Sequence, residues 1–89
     1  AGAYAQHNSY VITVCLTNYQ MAAFMHKGEL LITAGCRRGF TVAKAREHWS
    51  EENRPKWTEN TPEYGERQRS MLEFLIAQAV SLGWMEEAA

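Results

Sequence analysis

The sequence predicts an α+β fold: a small antiparallel sheet of two to three strands, arranged as a meander and packed by two C-terminal helices, the last one long. Two apolar runs rich in β-branched residues lie in the first half of the chain. The connections between strands are too short for parallel crossovers, so the strands must be antiparallel. A long apolar stripe at helical spacing fills the last third. With 89 residues the chain is expected to form a single domain over residues 1–89.

The first strand is predicted over residues 10–17. Residues 1–9 before it are mostly small and polar and are expected to fray. In residues 10–17, Tyr10, Ile12 and Val14 fall on one face, and β-branched side chains dominate, which is typical of a strand. Residues 18–20 are turn-like.

A second strand is predicted over Glu29–Ala34. Residues 21–26 lie between two turn signals and contain Ala and Met, which favour a helix. Their short length fits a third strand better, and both interpretations stay open. Lys27 and Gly28 indicate the turn that follows.

The two helices are predicted from their first residues. Thr41 is a suitable N-cap for a helix from Val42 to about residue 49 or 50. Residues 51–61 form a polar connector in which Pro55 limits helix formation and Trp57 is available to hold the connector against the core.

The last helix is predicted over residues 62–82. Thr61 and Pro62 match an N-cap followed by proline at the first helical position, and Gly83 suits the left-handed residue after the helix. The buried stripe is expected to comprise Tyr64, Gln68, Met71, Leu72, Leu75, Ile76, Ala79 and Leu82.

Composition excludes several function classes. The net charge of −1 argues against a dedicated nucleic-acid binder, and all ten acidic residues are Glu, which lowers the odds of Asp-based catalysis or hard-metal loops. Two cysteines do not make a disulfide framework, and no segment is apolar enough to span a bilayer. We therefore expect no cofactor, no membrane association and a reducing, cytoplasmic setting.

One corner of the chain, between the second strand and the first helix, concentrates thiol, positive charge and imidazole. Its expected structural residues are Gly35, Cys36, Gly39, Phe40, Thr41 and His48. Cys36, beside two arginines and a helix start, could be a reactive thiolate with His48 as its base. The structural interpretation is favoured, because His48 lies about two helical turns from the helix start and no Asp is present to orient it. Short metal-ligand pairs such as CxxC or HxxxH are absent from the sequence, so no metal is expected.

Binding residues are expected among basic and aromatic side chains. The candidates are Arg37, Arg38, Lys44, Arg46, Trp49 and Trp57. The four basic residues crowd around the start of the first helix, where phosphate groups bind well, but a solvated charged face is the simpler interpretation. The tryptophans are either interface anchors or lids on the core, and the core is favoured.

The segment ITAGCRRGFTVAKAREHW resembles small uncharacterised proteins encoded by tailed phages and prophages. The matching residues are Ala34, Gly35, Cys36, Arg37, Phe40, Thr41, Ala45, His48 and Trp49. The step at Arg38 and Gly39 makes the turn longer than in many of those proteins. The resemblance implies a phage origin and action inside a bacterial host. It implies no reaction.

These observations favour a small interaction protein that binds a host or phage protein, as an inhibitor of a host system for example. The alternative is a nucleic-acid or phosphate-binding module that uses the corner at Arg37 and Arg38. An enzyme is not expected, because no catalytic set of residues is assembled. A homodimer, which would add buried area to so short a chain, and a structural part of a virion also remain open.

Overall fold

The computed structural model describes residues 4–7, 11–16, 19–34 and 37–86, with the backbone alone for residues 4–7, 37 and 38. Five strands form one antiparallel sheet in chain order: β1 (Tyr4–His7), β2 (Val11–Leu16), β3 (Tyr19–His26), β4 (Glu29–Ala34) and β5 (Arg37–Thr41). Three helical segments complete the fold: α1 (Val42–His48), a 3₁₀ helix (Glu51–Lys56) and α2 (Pro62–Ser81). The α+β class, the antiparallel arrangement and the long last helix are confirmed.

The prediction of two to three strands is wrong, and β1 is one of the two strands it missed. β1 lies within the segment 1–9 that was expected to fray, yet its backbone pairs with β2 from Tyr4↔Cys15 to His7↔Ile12. The reason is nonlocal. The edge of β2 offers a row of main-chain donors and acceptors, and a neighbouring segment satisfies them whatever its own strand propensity.

β5 is the other missed strand. Residues 37–41 were expected to form a glycine-rich corner, but they pair with β4 at Leu31↔Thr41, Ile32↔Phe40 and Ala34↔Arg37. The register shifts between Ile32 and Ala34, and Gly39 has a φ of +70°. A glycine in the left-handed region lets the strand take a bulge without breaking the ladder.

β3 resolves the ambiguity at residues 21–26 in favour of a strand. It begins earlier than the turn-like residues 18–20 suggested, because Tyr19 and Gln20 already pair with β2. Lys27 and Gly28 follow with φ values of +52° and +81°. Two successive positive φ values define a type I′ turn, whose twist suits the β3–β4 hairpin.

The core lies between one face of the sheet and the two α-helices. The buried sheet residues alternate along the strands: Ile12, Val14, Met21, Ala23, Leu30 and Ile32. α2 packs on β2 and β3, and α1 packs on β4 and β5. α2 contributes Gly65, Gln68, Met71, Leu72, Leu75, Ile76 and Ala79 to the buried surface. Leu82, expected in this stripe, is exposed, because it is the C-cap.

The helix termini confirm the predicted caps. The Thr41 hydroxyl accepts a hydrogen bond from the Lys44 N–H at 3.2 Å, and the Thr61 hydroxyl accepts one from the Tyr64 N–H at 3.1 Å. After α2, the Trp84 N–H donates to the Ala79 carbonyl at 2.8 Å while Gly83 takes a φ of +77°. This Schellman motif satisfies carbonyl groups that the helix leaves unpaired. None of the helices in the described ranges is long and apolar enough to cross a membrane.

Candidate functional site

A groove of about 780 Å³ lies between the sheet and the helical segments, where β3 begins and β4 ends. Its wall is built from β3, the end of α1, the connector and the first turns of α2. We call it the aromatic groove and define it by Tyr19, His48, Trp49, Trp57, Tyr64 and Gln68. The groove therefore joins the start of β3 to three consecutive segments within residues 48–68.

The floor of the aromatic groove includes the start of β3. β3 pairs with β2 as far as Leu16↔Tyr19, and its pairing with β4 is described from Ala22↔Thr33 onward; residues 35 and 36, where this register would continue, lie outside the described residues. Residues 19–22 of β3 and residues 33 and 34 of β4 line the groove.

The rings in the groove form one connected wall. Tyr64 makes edge contacts with Tyr19 and Trp57, at centroid distances of 6.1 and 5.4 Å. The Trp57 indole N–H donates to the His48 carbonyl at 2.6 Å, and the His48 ring lies 4.9 Å from that of Trp49. Contacts of this kind stabilise aromatic pairs beyond their buried area. The wall is therefore held rigidly before anything binds.

A polar cluster ties the connector across the groove. The Tyr19 hydroxyl donates to Glu59 Oε1 at 2.8 Å, and Arg67 Nη2 lies 3.3 Å from Glu59 Oε2. The Arg67 guanidinium also stacks 3.9 Å above the Tyr19 ring. The hydrogen bond to Glu59 raises the pKa of Tyr19 above 10.0, with Arg67 opposing the effect. We call this set the Glu59 bridge.

Three buried side-chain atoms in the described part of the chain have no hydrogen-bond partner: Trp49 Nε1, Arg67 Nε and Gln68 Oε1. All three belong to the groove wall or to the Glu59 bridge. Trp49 is 1% exposed and Gln68 4% exposed. Buried polar groups are nearly always paired in folded proteins, so their concentration here marks the site as unusual.

The predicted corner is only partly described. Gly35 and Cys36 lie outside the described residues. The hypothesis of a Cys36 thiolate with His48 as its base therefore stays a prediction. The remaining corner residues come together: Phe40 packs its ring 5.3 Å from His48 and 6.1 Å from Trp49, and Thr41 caps α1. The His48 carbonyl accepts from both Trp57 and Asn53. These contacts are structural in character.

The predicted basic residues do not converge within the described side chains. The backbone of Arg37 and Arg38 runs along β5, and their side chains are not described. Lys44 is exposed on α1, and Arg46 makes a bidentate ion pair with Glu73 on α2, at 2.9 and 2.8 Å. That ion pair lowers the pKa of Glu73. Phosphate binding at this corner therefore stays a prediction.

Trp49 and Trp57, predicted as binding residues, are both buried and both line the aromatic groove. Sequence reasoning did not select Tyr19 as a binding residue, and it missed Glu59, Arg67 and Gly65. It placed Gln68 in the apolar stripe without noting its chemistry. The amide of Gln68 in the middle of an apolar stripe was a sequence signal for a buried polar site. The Glu59 bridge has no such signal, because Tyr19 is forty positions from Glu59.

No three His, Cys, Asp or Glu side chains in the described ranges are grouped as a metal site would require. Comparison with protein-family models, curated proteins and solved structures returns no match to this chain. The resemblance to phage proteins accordingly remains a prediction.

Proposed function

We propose that this chain is a binding protein that holds a segment of a protein partner in the aromatic groove. The observation that carries the proposal is an open groove whose wall is a connected set of aromatic rings, tied to the connector by the Glu59 bridge. The wall offers apolar area for side chains of the bound segment, and tyrosine and tryptophan are the residues that most often anchor protein interfaces.

The setting proposed for this activity comes from the phage-like segment around residues 34–49. We propose a phage-encoded protein acting in the bacterial cytoplasm, with a host or phage protein as partner and inhibition of a host system as one outcome. The net charge of −1 is consistent with a protein partner rather than a polyanion. The nucleic-acid alternative gains no support from the described side chains.

The test is capture of a partner from bacterial lysate, compared across variants. Gln20→Lys and Thr58→Lys place a charge in the groove at two exposed positions, so folding should be retained. Ala43→Lys adds the same charge at an exposed position outside the groove and is the matched control. Wild type and Ala43→Lys should retain the same protein, and the groove variants should retain at least about tenfold less, a difference near 1.4 kcal/mol.

Retention should also survive nuclease treatment and moderate salt, since phosphate contacts would be lost under those conditions. Equal retention by all four proteins would contradict a partner site in the groove. Retention that disappears with nuclease would favour the alternative at the basic corner.

A further inference from the structure

We propose that the aromatic groove is specific for an uncharged carboxamide, as carried by an Asn or Gln side chain of the bound segment. The inference rests on the proposed function and names the chemistry that the groove selects. Its recognition groups are the indole N–H of Trp49, as donor, and the carboxamide oxygen of Gln68, as acceptor.

The first step is that these two atoms are buried and unpartnered. Trp49 offers one donor and nothing else, while the Gln68 oxygen has two lone pairs to satisfy. Both side chains are more than nine-tenths buried, and both line the groove. A buried polar atom without a partner destabilises the free protein, so a ligand that satisfies it gains affinity from the relief of that penalty.

The second step is complementarity. A carboxamide carries a carbonyl that can accept from the indole N–H and an NH₂ that can donate to Gln68. A carboxylate has no donor for Gln68, and moving its charge into this buried site costs free energy. An ammonium group has no acceptor for Trp49.

The third step is access, because both atoms have almost no accessible surface in the free protein. The terminal torsion of a glutamine is soft, with a broad range of allowed angles. The Gln68 oxygen has no hydrogen bond to break, so rotation of this carboxamide is the movement by which a ligand would reach it. The Trp49 ring is fixed by Phe40 and His48 and supplies the rigid half of the pair.

The experiment uses four probes that share a phenyl ring: benzamide, acetophenone, benzoate and benzyl alcohol. Binding to the full chain is followed by NMR at the Trp49 indole N–H resonance, assigned with Trp49→Phe. Benzamide should shift this resonance and bind roughly three- to tenfold more tightly than acetophenone, which lacks the donor for Gln68. Benzoate should bind most weakly. Equal binding of benzamide and any other probe, or no binding of benzamide, would overturn the inference.

A variant pair isolates Gln68. Gln68→Met keeps length and helix propensity but removes the acceptor, and it should reduce benzamide binding to the level of acetophenone. Gln78→Met, at a half-buried position of α2 outside the groove, should leave the preference intact. Gln68→Met should also raise the Tm by roughly 4 °C or more, because it removes an unpartnered polar atom. A lower Tm would identify Gln68 as a structural residue and count against the inference.

The two proposals fail separately. If a partner is captured through the groove but benzamide shows no selectivity, the proposed function is supported and the carboxamide specificity is rejected. If benzamide binds selectively but no partner is captured through the groove, the carboxamide specificity is supported and the proposed function is rejected. The natural ligand would then be a free small amide rather than a protein segment.

Discussion

Gly65 allows the Trp57 ring to pack closely against the start of α2. A Cβ built on Gly65 would come within 2.7 and 2.8 Å of two ring carbons of Trp57 and 2.9 Å from Arg69 Nη1. The ring is buried and hydrogen-bonded to the His48 carbonyl, so it has little freedom to move away. A single missing methyl group thus determines how closely the connector approaches the helix.

We predict that Gly65→Ala destabilises the protein by about 1–3 kcal/mol, through overpacking against Trp57. The sign is opposite to that of an ordinary helix position, where Gly→Ala stabilises by about 1 kcal/mol. Urea unfolding would measure the change.

Ser70→Ala, at an exposed position of the same helix, should stay within about 0.5 kcal/mol of wild type. In a double-mutant cycle, Trp57→Leu should remove most of the penalty of Gly65→Ala. Additive effects of the two substitutions would show that the Trp57 contact is not the cause.

Glu73 gives a pH-dependent prediction. The two hydrogen bonds from Arg46 hold the pKa of Glu73 below its ordinary value of 4.5. Because the folded-state pKa is lowered, the pair stabilises the protein above the unfolded-state pKa and stops doing so as the pH falls through the folded-state pKa. With side chains 46% and 52% exposed, its contribution at pH 7 should be below about 1 kcal/mol.

Glu73→Gln should therefore be slightly less stable than wild type at pH 7, with the difference shrinking once the pH drops below 4.5. It should also shrink in high salt, which screens exposed charges. Glu66→Gln, an exposed substitution on the same helix, is the control. A difference that is independent of pH would mean that Glu73 acts through packing rather than charge.

At the scale of single elements, the β3–β4 turn is built from one favourable residue and one unfavourable residue. Gly28 adopts its φ of +81° without strain, but Lys27 has a side chain and a φ of +52°. An L-residue other than Gly, Asn or Asp in this region is strained by roughly 1–2 kcal/mol. The hairpin forms because the strand pairing on both sides outweighs this cost.

Lys27→Asn should stabilise the protein by up to about 1 kcal/mol, because Asn-Gly is the preferred type I′ pair. Thermal unfolding would reveal it as a higher Tm. Lys56→Asn, an exposed lysine outside any such turn, should have almost no effect. A lower Tm for Lys27→Asn would indicate that the lysine side chain makes a contribution beyond the turn.

The elements that sequence reasoning located have strong local signals. Thr61 and Pro62 begin α2 and Gly83 follows its end, and the β-branched residues of β2 make a strand on their own. β1 and β5 were missed because their strand character depends on pairing partners rather than on their own side chains. Strand propensity is a property of one segment alone, whereas the unpaired main-chain groups at a sheet edge can hold a neighbouring segment as a strand even when its propensity is low.

The candidate site was harder to predict than the fold. Trp49 and Trp57 were selected as binding residues from residue type alone. The connection of these residues to Tyr19 and Gln68 requires four segments to converge, and no spacing in the sequence encodes that. The Glu59 bridge is of the same kind, since its Tyr19–Glu59 hydrogen bond joins residues forty positions apart.

At the scale of the whole molecule, β1 protects the edge of β2. Without it, β2 would present an unpaired run of Val11–Leu16 whose first four residues are all β-branched. Unprotected edges of this type pair with other chains. The short β1 is therefore more important for keeping chains apart than its length suggests.

Removal of residues 1–8 should lower the stability and cause concentration-dependent self-association, detectable by sedimentation velocity. Thr13→Lys in the truncated chain should restore the sedimentation behaviour of the full chain, because a lysine on an edge strand disfavours further pairing. A truncated chain that sediments like the full chain at high concentration would show that β2 is protected by another part of the molecule.

The strict chain order of the sheet has a consequence during synthesis on the ribosome. All five strands emerge before α2, which covers β2 and β3. At about 5–20 residues per second, the apolar face of β2 is complete several seconds before residues 62–81 can cover it. In that interval the nascent chain exposes Ile12, Val14 and Met21 together, and a chaperone at the exit tunnel would find its binding surface there.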